Sequence, residues 1–205
     1  KFESNTQFDT LQTFGDSANF TGAAIFTGAN TFGAQAVFGK GSNFPAGQTF
    51  GDGANFTGTA SFGATQVFPQ KAEFAEGQSF DSTGTYTFDD FALFRPGTDF
   101  GAARTFDVGT MFESTMTFVG TNVFDAGTVF GDGQAFTTAQ TFGKSMNFGA
   151  NTDFTGAAQT FVAGTTFEDG TTFAVDQIMP VGTIPPAGLM LTPFTCVDAA
   201  CIPPA

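Results

Sequence analysis

Phenylalanine recurs every six residues, and this spacing constrains the fold more than any other feature of the sequence. It occupies every sixth position from Phe2 to Phe80, resumes at the same interval from Phe94 to Phe154, and then shifts by one residue to 161, 167 and 173. These positions account for 28 of the 31 phenylalanines. So long and regular a period indicates a repeat architecture, in which each short unit buries its apolar side chain by stacking on its neighbours.

The period of six fits neither the 3.6-residue period of a helix nor a long alternating strand, and it predicts a two- or three-residue strand followed by a corner. The residue two before each Phe is usually small or an amide, and it shares the inward face of the strand because side chains alternate. The residue between them is expected to point outward, and Gly-Asp pairs such as Gly15-Asp16, Gly51-Asp52 and Gly131-Asp132 suit corners. The expected inward companions are Ala18, Ala24, Asn30, Ala36, Ser42, Gln48, Ala54, Ala60, Gln66 and Ala72, and the expected outward residues are Asn19, Thr31, Val37, Thr49, Asn55 and Ser61.

This pattern resembles the hexapeptide repeat of left-handed β-helices over residues 2 to 173, with Phe at the inward position that those families fill with Leu, Ile or Val. The resemblance implies an all-β fold, a single β-solenoid with a stacked Phe core and about nine triangular coils of three hexads. Two hexads per coil, giving flattened two-sided coils, is the alternative that the spacing leaves open. The core ladder is expected to include Phe14, Phe20, Phe26, Phe32, Phe38, Phe44, Phe50, Phe56, Phe62 and Phe68.

Two segments depart from the repeat. Residues 81–93 break the register and are predicted to form an insertion, either a bulge or protruding hairpin or a surface loop that presents a contact or cation site. Deleting residues 82–90 is therefore expected to leave the fold intact. Residues 174–205 carry six of the nine prolines and many apolar side chains, which predicts an extended strap after the 1–173 solenoid. The strap is expected to lie on its own solenoid or on a neighbouring subunit.

The composition argues against several classes of function. Nineteen acidic residues against six basic ones give a net charge of −13, which disfavours nucleic acid and anionic lipid as partners. The chain contains no histidine, on which the acyltransferases and carbonic anhydrases of the hexapeptide-repeat families depend, and it has no phosphate-binding loop. We therefore expect no enzyme activity, no cofactor, no metal site and no membrane-spanning segment.

The two cysteines lie close together near the end of the sequence. Cys196 and Cys201 suit a single disulfide in an oxidising compartment, with two unpaired thiols as the alternative. Because the sequence begins at Lys1 without Met, we expect an extracellular or cell-surface protein whose signal peptide has been removed.

The leading functional hypothesis is a subunit of an extracellular filament or sheath that assembles with copies of itself, head to tail. Phe2 already belongs to the repeat, so a first coil without a cap would offer unpaired strand edges to another chain. Such a contact does not close on itself and therefore produces a fibre. The expected assembly contacts are Phe2, Phe8, Phe167, Phe173 and Phe194.

Two alternatives come from other classes. An ice-binding protein would present a flat row of threonines, and Thr13, Thr31 and Thr49 would align on a three-sided coil, although Val67 is expected to end that column. A secreted adhesin or binding module would use residues 81–93 for recognition and would stay monomeric.

Overall fold

The computed structural model describes residues 1–63, 65–80, 83–157, 159–168 and 171–173, together with the backbone of residues 178–179 and 195–196. These residues contain parallel β-strands and no helix. The chain forms two compact units, Lys1–Arg104 and Thr105–Ala205. Most of the predicted strap, including Phe194 and Cys201, lies outside the described residues.

Nearly every strand is two or three residues long and ends on a phenylalanine. In unit 1 the strands are β1 Thr6–Phe8, β2 Thr13–Phe14, β3 Asn19–Phe20, β4 Ala24–Phe26, β5 Thr31–Phe32, β6 Val37–Phe38, β7 Asn43–Phe44, β8 Asn55–Phe56, β9 Ser61–Phe62, β10 Gln66–Phe68, β11 Glu73–Phe74, β12 Tyr86–Phe88 and β13 Leu93–Phe94. In unit 2 they are β14 Thr105–Phe106, β15 Met111–Phe112, β16 Thr117–Phe118, β17 Val123–Phe124, β18 Val129–Phe130, β19 Ala135–Phe136, β20 Thr141–Phe142, β21 Asn147–Phe148, β22 Asp153–Phe154, β23 Thr166–Phe167, β24 Thr172–Phe173, β25 Ile178–Met179 and β26 Thr195–Cys196.

The strand register fixes the number of hexads in each turn. Phe8 pairs with Phe26 and Phe38 pairs with Phe56, so parallel neighbours are eighteen residues apart and each turn contains three strands. The predicted β-solenoid of about nine three-sided turns is confirmed, and the flattened coil of twelve residues is excluded. In unit 1 the three faces are formed by β1, β4, β7 and β9, by β2, β5, β10 and β12, and by β3, β6, β8, β11 and β13.

The interior is a regular ladder of phenylalanine rings. Phe38 stacks on Phe20 and on Phe56 with ring centroids 5.3 and 5.1 Å apart and planes 5° and 15° apart. It meets Phe44, on the next side of the turn, edge to face at 4.9 Å. Both arrangements are favourable for aromatic rings, and burying each ring contributes about 1.5 to 3 kcal/mol. The structure buries all ten phenylalanines named for the core ladder, from Phe14 to Phe68 at intervals of six.

Most corners contain a residue with positive φ three positions before the next Phe. Glycine occupies many of these positions, but Leu11, Lys71 and Phe91 also adopt φ near 60°. Aspartates at other corner positions bind the neighbouring turn: an Oδ1 atom of Asp16 accepts a hydrogen bond from the backbone N–H of Ala34 at 2.9 Å. Asp132 does the same for the N–H of Ala150, so both aspartates have the corner role that the Gly-Asp pairs indicate.

The insertion at 81–93 is shorter than the sequence predicts. Tyr86–Phe88 forms β12, and Phe88 is fully buried and stacks on Phe68 at 5.4 Å. Leu93–Phe94 forms β13, which pairs with β11. The interruption is therefore only the two extra residues between Phe80 and Phe88. Of the alternatives left open, the surface loop and the protruding hairpin over residues 81–93 are wrong and a bulge agrees with the structure; the predicted extent was too long because Phe88 was not counted as a member of the ladder.

Candidate functional site

The most regular exposed feature of unit 1 is a row of β-branched side chains on the face formed by β2, β5, β10 and β12. The outward residue just before each inward Phe is exposed in five successive turns, and each is in parallel register with the next. We call this row file 1. It contains Thr13, Thr31, Thr49, Val67 and Thr87.

Unit 2 has a row of the same kind on β14, β17 and β20. Thr105 pairs with Val123, Val123 with Thr141 and Thr141 with Thr160, and all four side chains are exposed. We call this row file 2. Valine has the branched shape of threonine without its hydroxyl group, so both rows present methyl groups throughout.

The expectation that Val67 ends the threonine column was wrong. Adding eighteen to 67 leads to Thr85, but the partner of Val67 is Thr87, twenty residues later. The two-residue interruption falls between these turns and moves every later residue by two positions. The column therefore continues into Thr87, which the eighteen-residue spacing does not reach.

The positions two residues before and two residues after the members of file 1 carry little charge. The positions two before the file residues are uncharged, and those two after them are glycine or proline in the first four turns and Asp89 in the fifth. By contrast, the face of β3, β6, β8, β11 and β13 presents a mixed outward row with Glu73 at its fourth strand. The residues that flank file 1 are Leu11, Ala29, Gly47, Thr65 and Thr85 on one side and Gly15, Gly33, Gly51, Pro69 and Asp89 on the other.

A column of polar side chains lies inside the solenoid behind the files. In each turn the residue before the file residue points inward, and it is polar at every position. We call these residues the amide column, because all but two are Asn or Gln. Its members are Gln12, Asn30, Gln48, Gln66 and Tyr86 behind file 1, Arg104 at the end of unit 1, and Asn122, Gln140 and Gln159 behind file 2.

The amides bond one turn to the next. In unit 2 the Oε1 atom of Gln140 accepts from the backbone N–H of Asn122 at 2.8 Å, and its Nε2 donates to the carbonyl oxygen of Gly120 at 3.0 Å. Gln159 repeats the pattern and accepts from the N–H of Gln140 at 2.8 Å. These bonds satisfy amide groups that would be costly to bury unpaired.

The column is less fully bonded behind file 1. Asn30 accepts from the backbone N–H of Gln12 at 3.0 Å. Gln48 and Gln66 donate through Nε2 to the carbonyl oxygen of Pro45, but their Oε1 atoms have no hydrogen-bond partner. At the two-residue interruption of the repeat, the Nη1 atom of Arg104 donates a hydrogen bond to the carbonyl oxygen of Gly84 at 2.7 Å.

The strands of the two rows share a three-residue motif that was not among the features predicted from the sequence. The motif Gln/Asn-Thr/Val-Phe marks a file strand, and it recurs at every third hexad of the repeat except in the turns of Tyr86 and Arg104. Sorting the hexads into three classes by their position in an eighteen-residue turn would have found it, once the two-residue offset before Tyr86 and the one-residue offset before Phe161 are applied. The corresponding column behind β3, β6, β8, β11 and β13 consists of Ala18, Ala36, Ala54, Ala72 and Ala92.

The residues named for assembly and for the disulfide are only partly described. Phe8 and Phe167 are buried, whereas Phe2 and Phe173 are partly exposed. The backbone of Cys196 pairs with that of Met179, and the predicted disulfide to Cys201 lies outside the described residues.

Within the described part of the chain, no helix has the length and apolar character required to cross a bilayer.

The chain matches no protein-family model, no curated protein and no solved structure.

Proposed function

We propose that the chain is an ice-binding protein and that file 1 and file 2 are its contact surfaces. The observation that carries the proposal is the register of file 1, in which Thr13, Thr31 and Thr49 are stacked on successive parallel strands. Parallel strands are ~4.8 Å apart, so the side chains repeat at a spacing close to that of water oxygens along one direction of the ice lattice. A row of identical groups at this spacing can contact an ice plane at every turn.

Threonine suits such a contact because it combines two groups. Its methyl group offers apolar surface, which orders the adjacent water, and its hydroxyl group can both donate and accept a hydrogen bond. Valine at positions 67 and 123 keeps the methyl surface, so the rows remain continuous in shape. The branched side chains are also stiff at χ1, which lowers the entropy lost on binding.

The rest of the structure favours a rigid and flat surface. The Phe core fixes each turn on its neighbour, and small residues such as Gly33 and Gly51 leave file 1 unobstructed on one side. Charged side chains hold water in orientations that do not match ice, and the first four turns of file 1 and its flanks have none. Preorganisation of this kind is what binding to a repeating solid surface requires.

The test compares two single substitutions on different faces of unit 1. Thr31→Lys places a long charged side chain in the middle of file 1, and Asn43→Lys places the same side chain at an exposed position of β7. We expect Thr31→Lys to reduce the thermal hysteresis, which is the gap between the melting and freezing temperatures of an ice crystal, to the part that file 2 alone supports. Asn43→Lys should keep it. Equal activity in the two variants would contradict the assignment of the contact surface.

A second candidate function is the head-to-tail homopolymer. It is favoured by the near-constant contact between turns: described stacked rings lie 4.8 to 5.9 Å apart in unit 1 and 4.7 to 5.6 Å apart in unit 2. A coil of another chain could extend such a stack without a new kind of contact. Sedimentation velocity tests this proposal, because a polymer should sediment faster as concentration rises and should weaken in a chain ending at Phe173.

Both proposals imply a protein that acts outside the cell, in contact with extracellular ice or in an extracellular fibre. Neither involves catalysis, so the absence of enzyme activity stays a prediction.

A further inference from the structure

We propose that the amide column behind file 2 positions the residues of that file, so that its hydrogen bonds set the regular spacing on which surface binding depends. This inference rests on the proposed function and adds to it residues that do not touch the bound surface. The clearest evidence comes from Gln140 and Gln159, behind file 2. In both side chains the Oε1 atom accepts a hydrogen bond and the Nε2 atom donates one.

The bonds of Gln140 act on backbone that is adjacent to the file. Its Oε1 accepts from the N–H of Asn122, the residue immediately before Val123 of file 2. Its own N–H, immediately before Thr141, donates to Oε1 of Gln159. In file 2, Val123 and Thr141 are therefore each preceded by a peptide group that a buried side chain ties to the next turn.

This extra bond matters because the strands are so short. A strand of two residues forms few backbone bonds with its neighbour, and small shifts between turns would change the height of each threonine along the solenoid. The Nε2 of Gln140 also donates to the carbonyl oxygen of Gly120, in the same turn as Asn122, at 3.0 Å. It donates to the carbonyl oxygen of Thr138, in its own turn, at 2.7 Å. A buried, fully satisfied network of this kind makes the local structure more rigid.

The placement of the polar residues supports a role beyond stability. Behind the face of β3, β6, β8, β11 and β13 the same inward position is alanine in every turn of unit 1, and the Phe ladder there is equally well stacked. The solenoid can therefore form without amides at this position. In unit 1, the described inward position is polar in every turn only behind file 1.

Unit 2 provides a matched control on another sheet. Gln134 is fully buried and accepts from the backbone N–H of Met116 at 3.2 Å, while its Nε2 donates to the carbonyl oxygen of Glu113 at 2.6 Å. It lies behind Ala135 of β19, outside the files. Met116 occupies the equivalent inward position one turn earlier, so a methionine side chain fits this column.

The experiment compares Gln140→Met with Gln134→Met in the full chain. Both variants lose a buried glutamine amide, and because the Gln140 side chain makes more hydrogen bonds than that of Gln134, we expect the larger decrease in melting temperature in Gln140→Met. Thermal hysteresis should fall several-fold in Gln140→Met and stay at the wild-type level in Gln134→Met. Gln140→Asn should recover much of the activity, because Asn122 and Asn30 show that asparagine can serve in the column.

Three outcomes separate the possibilities. If the wild-type chain shows no hysteresis, the proposed function fails and this inference fails with it. If the wild type is active and the two methionine variants keep equal activity, only the positioning role is overturned. If Gln140→Met does not fold, Gln159→Met replaces it, and equal activity of that variant and Gln134→Met overturns the inference.

Discussion

Val67 on β10 lies in parallel register with Thr87 on β12, although twenty residues separate them instead of the usual eighteen. The two extra residues are taken up before Tyr86, whose hydroxyl group donates to the carbonyl oxygen of Phe62 at 3.0 Å. Arg104 lies over the Tyr86 ring at 4.8 Å and donates to the carbonyl oxygens of Gly84 and Phe100. The outward row thereby passes the interruption without a change of face.

Deleting residues 82–90 should destabilise the protein strongly. The deletion removes the buried residues Tyr86 and Phe88, and it leaves Phe68 without the ring that stacks on it at 5.4 Å. This reverses the expectation from the sequence alone that the segment is dispensable. Thermal unfolding followed by circular dichroism checks the result, and a melting temperature equal to that of the wild type would show that the strand β12 contributes little.

The sequence was sufficient to predict the solenoid because a single side chain, Phe, marks every strand. It could not separate eighteen-residue from twelve-residue turns, since the near-identical segments 15–26 and 51–62 lie 36 residues apart, a multiple of both. It also gave no direct sign that Phe88, eight residues after Phe80, belongs to the ladder. That one omission put Thr85 in place of Thr87 beside Val67, and it shifted the later hexads by two residues from the positions that the eighteen-residue spacing assigns them.

Replacing Phe56 with alanine should cost about 3 to 5 kcal/mol, the usual loss for a buried aromatic side chain. Phe56 is fully buried between Phe38 and Phe74, with centroids 5.1 Å away on both sides. The control is Phe91→Ala, because Phe91 is 52% exposed at a corner, and there we expect a change within about 0.5 kcal/mol. Urea denaturation measures both, and similar losses in the two variants would contradict the described core.

Two corner glycines should respond in opposite directions to alanine. A Cβ atom at Gly51 would collide with the backbone of Gly33 and Ala34, and overpacking of this kind costs about 1 to 3 kcal/mol. A Cβ atom at Gly15 meets nothing within 4 Å, and Gly15 has no positive φ, so Gly15→Ala should stabilise by about 0.4 to 1 kcal/mol. Melting temperatures that fall equally in both variants would refute the stacking of these corners.

Stability should also depend on the ionisation of Asp153. Hydrogen bonds from the side chain and backbone N–H of Thr155, with a further one from the Thr172 hydroxyl, hold the pKa of Asp153 below its ordinary value. A carboxylate with a lowered pKa contributes stability above the unfolded-state pKa, and that contribution is lost as the pH falls through the folded-state value. Urea midpoints measured from pH 6 down to about 2 should therefore drop less in Asp153→Asn than in the wild type. Identical pH dependence in the two proteins would contradict this.

The most direct test of the account is the thermal hysteresis of the unmodified chain, measured on a single ice crystal over a range of protein concentrations. A protein that binds ice through file 1 and file 2 should hold the freezing temperature below the melting temperature, with a gap that widens as concentration rises, and should give the crystal facets. A gap no larger than that of an equal concentration of a protein without ice affinity, with a crystal that grows as a round disc, would contradict the proposed function.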